Sequence, residues 1–156
     1  MGVELSVIER TLFYTRKEAN DHDANVWGAD GGIGAILEPR FIFPNGGESN
    51  YGEGWQYWYN NPKDERAIEP PEAPKKQMEL YDQLKAEPDA AKQNELFKQI
   101  VQIAKEQFYT IGVSTQPDLY GIVKNNFHNV PEQMVSAYLY PTPAPSNPVQ
   151  FFMDPA

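Results

Sequence analysis

The chain of 156 residues contains no cysteine. Disulfide bonds, thiol catalysis and cysteine-ligated metal sites are therefore excluded. Histidine is scarce as well, since only His22 and His128 occur, and neither has companions at the spacings of metal sites or catalytic triads. No GxSxG, HExxH or EF-hand pattern is present. We therefore predict a binding protein without catalytic residues, metal or cofactor.

Basic residues are few. The chain has 13 Lys and Arg residues and 22 Asp and Glu residues, which gives a net charge of −9. A phosphate backbone would be repelled, which excludes nucleic acid as a partner. No apolar run approaches the roughly 20 residues needed to span a bilayer. Aromatic residues, in contrast, make up 13 % of the chain, a content that suits contact with carbohydrate or peptide as well as packing.

The most informative stretch is residues 23–37, with the sequence DANVWGADGGIGAIL. It predicts a short strand, a glycine-rich loop over residues 28–34 and a short helix over residues 33–38. Backbone without side chains lets a ligand approach closely, and ligands collect at the carboxyl ends of strands in open α/β sheets. We interpret the loop as one wall of a ligand site, although an ordinary strand-to-helix turn with a core tryptophan fits the same residues. The candidate binding residues of this loop are Trp27, Gly28, Asp30 and Gly31.

Two other functions remain open at this point. The glycines resemble part of a dinucleotide fingerprint, but their spacing does not fit GxGxxG, and no GxxxxGK[ST] occurs. A cytoplasmic cofactor- or nucleotide-binding domain that uses the loop of residues 28–34 is the alternative function. A structural interaction domain whose aromatic residues all lie in the core is the other. It is favoured if Trp27, Trp55 and Trp58 are all buried and no cleft borders Asp30.

Hydrophobic patterns along the rest of the chain predict the fold class. Alternating or continuous apolar residues predict strands, at residues 2–9, 24–27, 109–115 and 119–124. Apolar residues at helical spacing predict helices, at residues 11–20, 72–86 and 90–108, and Thr11 is the expected N-cap of the first. The predicted fold class is therefore α/β, a mixed sheet with flanking helices. Residues 125–156 are rich in proline and lack periodicity, which predicts a long irregular C-terminal tail.

A second aromatic cluster lies in residues 51–61, with the sequence YGEGWQYWYNN. A helix here would place Trp55, Trp58 and Tyr59 on one face. Such a patch can stack on sugar rings, and it can equally well pack against the rest of the domain. We take Trp55 and Trp58 as further candidate ligand-binding residues.

The order and spacing of several segments resemble the C-terminal part of extracellular solute-binding proteins of family 5, which serve ABC importers of oligopeptides, nickel and oligosaccharides. The resemblance covers nearly the whole chain. It rests on GVELSVIE (2–9), DANVWGAD (23–30), GWQYWY (54–59), EPPEAPKKQMELYDQLKAEPD (69–89), YTIGV (109–113) and VKNNFHNVPE (123–132).

The resemblance implies a two-lobed, periplasmic-binding-protein-like (type II) fold that closes on its ligand by hinge motion. Residues 1–124 would form an incomplete C-terminal lobe, and residues 125–156 a proline-rich tail that returns toward the N-terminal lobe. Because members of the family are several times longer, we expect the signal peptide and the N-terminal lobe to lie upstream of Met1. The resemblance also implies an extracytoplasmic location, periplasmic or lipid-anchored, and a membrane permease as partner.

The family resemblance also suggests how a ligand is held. In peptide-binding members, the acid at the position of Asp30 pairs with the amino group of the peptide, a charge-assisted bond, and Trp27 matches the aromatic residue before it. Gly31, Gly32 and Ile33 replace the usual aromatic residue and Pro-Asp-Pro run, so both oligopeptides and oligosaccharides stay open as ligands. A lobe without its first strand and helix exposes a sheet edge, and we expect a homodimer through edge pairing or swapped segments.

Overall fold

A computed structural model describes residues 2, 4–29, 34–115, 117–137 and 144–154. Helices and strands occur together in these residues, in loose agreement with the α/β prediction, as four α-helices and one two-stranded antiparallel sheet. The chain divides into two compact units. The first comprises Met1–Gly28 and Pro39–Ile111, and the second Ala29–Glu38 and Gly112–Ala156. Among the described residues, no helix combines the length and apolar character that crossing a bilayer requires.

The α-helices of the described residues all belong to the first unit, as α1 (Arg10–Glu18), α2 (Glu53–Asn60), α3 (Glu72–Ala86) and α4 (Ala90–Gln107). The prediction for α3 is confirmed at both ends, and α4 is one residue shorter than predicted. At the start of α4, the Asp89 carboxylate accepts hydrogen bonds from the backbone amides of Ala91 (2.9 Å) and Lys92 (3.0 Å). Phe108 follows α4 in the left-handed conformation, with φ of 56°, which ends the helix.

The N-cap of α1 is Glu9, and the prediction of Thr11 at this position is wrong. The Glu9 carboxylate accepts hydrogen bonds from the backbone amides of Thr11 (2.8 Å) and Leu12 (3.4 Å), and from the Thr11 hydroxyl (3.0 Å). These bonds, led by the Thr11 amide, lower the pKa of Glu9 because they favour its charged form. Because the Glu9 carboxylate binds amides of the first turn, the helix begins at Arg10, and Thr11 lies inside it.

The core of the first unit lies around a hairpin of α3 and α4, which pack together across a short link. Of the apolar stripes predicted for both helices, Met78, Leu84 and Ile100 are buried there. Gln77 is also buried, and its side-chain amide donates to the backbone carbonyls of Ile100 (3.0 Å) and Ile42 (3.3 Å). This amide therefore ties both helices to the loop that precedes α2.

The strand predictions for residues 2–9, 24–27, 109–115 and 119–124 are wrong for the part of the chain that the structure describes, where these segments are irregular. A strand needs a neighbour whose backbone groups complete its ladder, and no described segment supplies one. Several of their apolar side chains are exposed, as Val7 (91 %) and Ile122 (92 %) illustrate. For these residues the apolar pattern is not matched by a partner surface among the described residues.

The second unit contains the sheet, in which β1 (Phe127–His128) pairs antiparallel with β2 (Phe152–Met153). The His128 ring stacks on Phe152, with centroids 4.8 Å apart, and its Nε2 lies 2.8 Å from Oδ2 of Asp154. The tail predicted as irregular therefore includes a short sheet, in which a ring stack and a hydrogen bond hold its last described residues against β1. Residues 34–38 form a single turn where a short helix was predicted, and Ile33 lies outside the described residues.

Candidate functional site

Trp27, the aromatic residue at the predicted ligand loop, lies against α1. Its ring stacks on Phe13, with centroids 4.2 Å apart and an interplanar angle of 11°. The Tyr14 ring meets it edge to face at 5.5 Å, and the Arg10 guanidinium carbon lies 5.9 Å from its centroid. Phe13 is buried, whereas Trp27 remains 38 % exposed. We call Arg10, Phe13, Tyr14 and Trp27 the aromatic platform.

The aromatic platform can bind the flat, apolar face of a ligand. Phe13 supports the Trp27 ring from one side, and the exposed part of the ring offers apolar area with little loss of side-chain freedom. Arg10 lies within the roughly 6 Å at which a cation is attracted to a ring, so the platform carries a positive charge at its edge. A sugar ring or an aromatic side chain matches this surface.

The glycine loop follows Trp27 directly, and only its beginning is described. Asp30 and Gly31 lie outside the described residues. Gly28 is exposed, and a side-chain carbon placed on it would meet no heavy atom within 4 Å. Packing among the described residues therefore does not require a glycine at position 28, and they leave the space beside its backbone open.

The second aromatic cluster lies on α2, and Trp55 on this helix belongs to a group of packed rings. Trp55 meets the rings of Tyr51 (6.5 Å) and Tyr109 (5.5 Å) edge to face, and these two stack on each other at 5.5 Å. The Tyr51 hydroxyl donates to the carbonyl of Ile42 (2.9 Å). Burial, and then the neighbouring Tyr109, raise the pKa of Tyr51, which therefore stays neutral and keeps its proton for this bond.

Trp58 and Tyr59 approach side chains of α3. The ammonium of Lys75 lies 5.8 Å from the centroid of Trp58. The Tyr59 hydroxyl donates to Oδ1 of Asp82 (2.6 Å) and accepts a hydrogen bond from Lys85 (3.1 Å). Burial, and then the bond to Asp82, raise the pKa of Tyr59. These contacts show that part of the aromatic face predicted for α2 serves packing.

The three tryptophans of the predicted site do not form one contact cluster. Within the described residues, no ring contact joins Trp27 to Trp55 or Trp58. None of the three is buried, so the burial that would favour the interaction-domain alternative is not found. Trp27 is the most exposed of them and the one next to the glycine loop.

A buried ion pair that the sequence did not predict connects α1 to α2. Lys17 and Glu53 are each 2 % exposed, and Nζ lies 3.3 Å from Oε1. Nζ also donates to the backbone carbonyls of Gly47 and Ser49 and lies 5.2 Å from the centroid of Tyr14. Burial raises the pKa of Glu53, and the charge of Lys17 opposes that rise.

The Lys17–Glu53 pair links α1, which carries most of the aromatic platform, to α2, which carries Trp55. Lys17 lies one helical turn after Tyr14 of the aromatic platform, and Glu53 opens the helix that carries Trp55. Lys17 occurs in the run Arg16-Lys17-Glu18, which is typical of a solvent-facing helix surface. No local signal therefore distinguishes it from the exposed lysines.

Groups suited to metal chemistry are lacking in the part of the chain that is described, where no three His, Cys, Asp or Glu side chains are placed to hold an ion.

The exposed Arg66 is already engaged, because it forms two 3.0 Å contacts with the carboxylate oxygens of Asp64 and stacks on Tyr57 at 3.9 Å. Its hydrogen bonds lower the pKa of Asp64 to about 2. This surface cluster is therefore satisfied internally.

Neither the known protein-family models nor the curated proteins include a match to this sequence. The functional argument therefore rests on the residues and their arrangement.

Proposed function

We propose that this chain is part of the substrate-binding component of an ABC importer. It would belong to the family 5 solute-binding proteins and capture oligopeptides or oligosaccharides outside the cytoplasmic membrane for delivery to a permease. The observation that carries the proposal is the aromatic platform. Trp27 occupies the position that precedes the acid in the family's ligand loop, and its ring is supported by Phe13 yet exposed.

The irregular apolar segments support the finer fold, an incomplete C-terminal lobe of a periplasmic-binding-protein-like (type II) protein. Val7, Val113 and Leu119 are all exposed in segments with strand-like sequences. A complete lobe would offer such segments neighbouring strands and covering helices. Unpaired apolar segments of this kind are the expected result when those partners are missing. The proposed location of the whole protein is periplasmic or lipid-anchored at the cell surface.

Two ligand classes fit the proposed site in different ways. An oligosaccharide would stack a sugar ring on Trp27, where apolar contact does not depend on charge. An oligopeptide would in addition place its terminal ammonium beside the Asp30 carboxylate, a charge-assisted bond that serves any peptide sequence. Trp55 and Trp58 would contribute further contacts with their exposed parts.

Titration of the chain with a glucose tetrasaccharide and with a tripeptide, followed through the indole N–H resonances of the three tryptophans, tests the proposal. We expect millimolar affinity, because one lobe supplies about half of the contacts and each ~1.4 kcal/mol is tenfold in affinity. The Trp27 resonance should shift, and Trp27→Ala should abolish binding. Phe108→Ala, which removes another exposed aromatic ring of the same unit, is the control. An unmoved Trp27 resonance with both ligands would contradict the proposal.

Asp30→Asn separates the two ligand classes, because it removes a charge and keeps the size of the side chain. We expect it to weaken tripeptide binding about tenfold and to leave tetrasaccharide binding unchanged, since only the peptide carries an ammonium. The same titration measures both. Equal tripeptide affinity of the two proteins would refute the amine anchor while leaving sugar stacking intact.

We also propose that the chain is a homodimer, formed by edge pairing or by swapped segments. Exposed apolar segments pair readily with other copies, and light scattering at high micromolar concentration should give twice the chain mass of 17.7 kDa. Val113→Lys should shift the population toward monomer. Val149→Lys adds the same charge at an exposed valine outside these segments and should leave the dimer intact. The mass of a single chain at that concentration would show that the segments do not associate.

A further inference from the structure

The second unit contains an apolar pocket of about 390 Å³. Small-molecule sites have volumes of about 300–1,000 Å³, so the pocket is large enough for a small ligand. The residues of β1 and β2 contribute to its walls through Phe127 and Met153. Other apolar side chains complete the lining, among them Val123, Val130, Met134 and Phe151.

The sheet gives these walls a fixed arrangement. The Phe151 ring meets Phe127 edge to face at 5.3 Å, and the Asn129 side chain donates to the carbonyl of Gln150 (2.9 Å). The backbone amide of Asp154 donates to the carbonyl of Asn126 (3.1 Å). Two segments far apart in sequence are therefore held side by side around the pocket.

The charge on the pocket wall is positive. Lys124 is the only lysine or arginine of the second unit, and it lines the pocket. Among the described residues, no ion pair or side-chain hydrogen bond engages its ammonium. None of the described acidic side chains of this unit lines the pocket, and Asp154 is already paired with His128 at 2.8 Å. A hydroxyl, that of the buried Ser146, is the other polar group of the wall.

We propose that this pocket binds a free fatty acid, with the acyl chain among the apolar side chains and the carboxylate beside Lys124. The apolar lining accounts for the chain, because burial of methylene groups is favourable wherever water is displaced. The lysine of the wall accounts for an anionic headgroup, since an ammonium would be repelled by Lys124 and an alcohol would lack the attraction between opposite charges. The site belongs to the second unit and is independent of the importer proposal.

Calorimetric titration of the unaltered chain with a series of amphiphiles tests the inference without any mutation. Decanoate should bind more tightly than decanol, and decylamine should bind most weakly. Octanoate should bind roughly fifteenfold more weakly than decanoate, because each buried methylene contributes about fourfold to affinity. Equal binding of decanoate and decylamine, or of decanoate and octanoate, would overturn the proposal.

Two variants then locate the headgroup. Lys124→Gln should weaken decanoate binding about fivefold, a magnitude suited to a solvent-accessible charge pair, and should leave decanol binding unchanged. The control is Lys105→Gln, at an exposed lysine in the last turn of α4. It should change neither decanoate binding nor decanol binding. Unaltered decanoate binding in Lys124→Gln would overturn the proposal. The proposal would also be overturned if the chain did not bind free decanoate but co-sedimented with phosphatidylglycerol vesicles.

Discussion

Replacing Lys17 with methionine should lower the free energy of unfolding by about 3–5 kcal/mol, because it leaves the Glu53 carboxylate buried without its partner. Methionine retains the apolar stem and approximate volume of the lysine, so the effect reports the charge rather than a cavity. The carbonyls of Gly47 and Ser49 lose the same donor. Urea denaturation of both proteins measures the difference.

Two further variants identify the cause of that loss. Lys98→Met removes an exposed lysine that pairs with Glu95 on α4 and should change the unfolding free energy by less than about 0.5 kcal/mol. The double variant Lys17→Met, Glu53→Leu removes both charges and should recover most of the loss, since no unpaired ion remains. Equal losses in Lys17→Met and Lys98→Met would show that the buried pair is not a stabilising contact.

The same pair predicts a dependence of stability on pH. Burial raises the pKa of Glu53 above its ordinary value of 4.5, so the folded protein binds the Glu53 proton more tightly than the unfolded chain does. The stability that comes from this tighter proton binding is fully present below about pH 4.5. It is lost as the pH rises through the raised pKa of Glu53. Lys17 opposes this rise, so Lys17→Met should raise the pKa further. Between about pH 5 and pH 8, the variant should lose more stability than the parent protein.

Gly52→Ala should lower the free energy of unfolding by about 2–5 kcal/mol. Gly52 is the N-cap of α2 and has φ of 66°, a conformation that costs a residue with a side chain about 1–2 kcal/mol. An added Cβ would also lie 2.7 Å from Cε3 of Trp55 and 2.9 Å from Cγ of Pro44. Overpacking of this kind costs about 1–3 kcal/mol. Urea denaturation, followed by tryptophan fluorescence, measures the loss.

Gly46→Ala is the matched control for that prediction. A Cβ at Gly46 would meet no heavy atom within 4 Å, and its φ lies outside the left-handed region. The alanine should therefore leave the free energy of unfolding unchanged or raise it by about 0.4–1 kcal/mol, because it reduces the conformational entropy of the unfolded chain. If Gly52→Ala and Gly46→Ala had the same stability, neither the conformation nor the close approach at Gly52 would be required.

The helices could be predicted because their signals are local. Pro71 immediately precedes α3, Asp89 caps α4, and Met78, Tyr81 and Leu84 repeat at helical spacing along α3. Each of these signals acts over a few neighbouring residues. The bounds of α3 followed directly from them. Even the error at α1 was local, since the actual N-cap, Glu9, lies only two residues before Thr11.

The strands and the ion pair could not be predicted because they depend on residues that are distant in sequence. A strand forms only when another segment completes its hydrogen bonds, and residues 109–115 and 119–124 are irregular despite their apolar sequences. Lys17 is buried because the loop before α2 and Glu53 surround it. The prediction of Trp27 as a site residue used the adjoining glycines and the family resemblance, whereas its support by Phe13 depends on the position of α1.

The short link between α3 and α4 has a consequence for the order of folding. Closing a short loop costs little entropy, and local helical contacts form within microseconds to milliseconds. Lys17, in contrast, reaches Ser49 across 32 residues of sequence. We expect the hairpin to form first and α1 to dock late, with the desolvation of Lys17 and Glu53 in that last step. Contacts made after the transition state act on the unfolding rate, so the buried pair governs how long the folded chain survives rather than how quickly it forms.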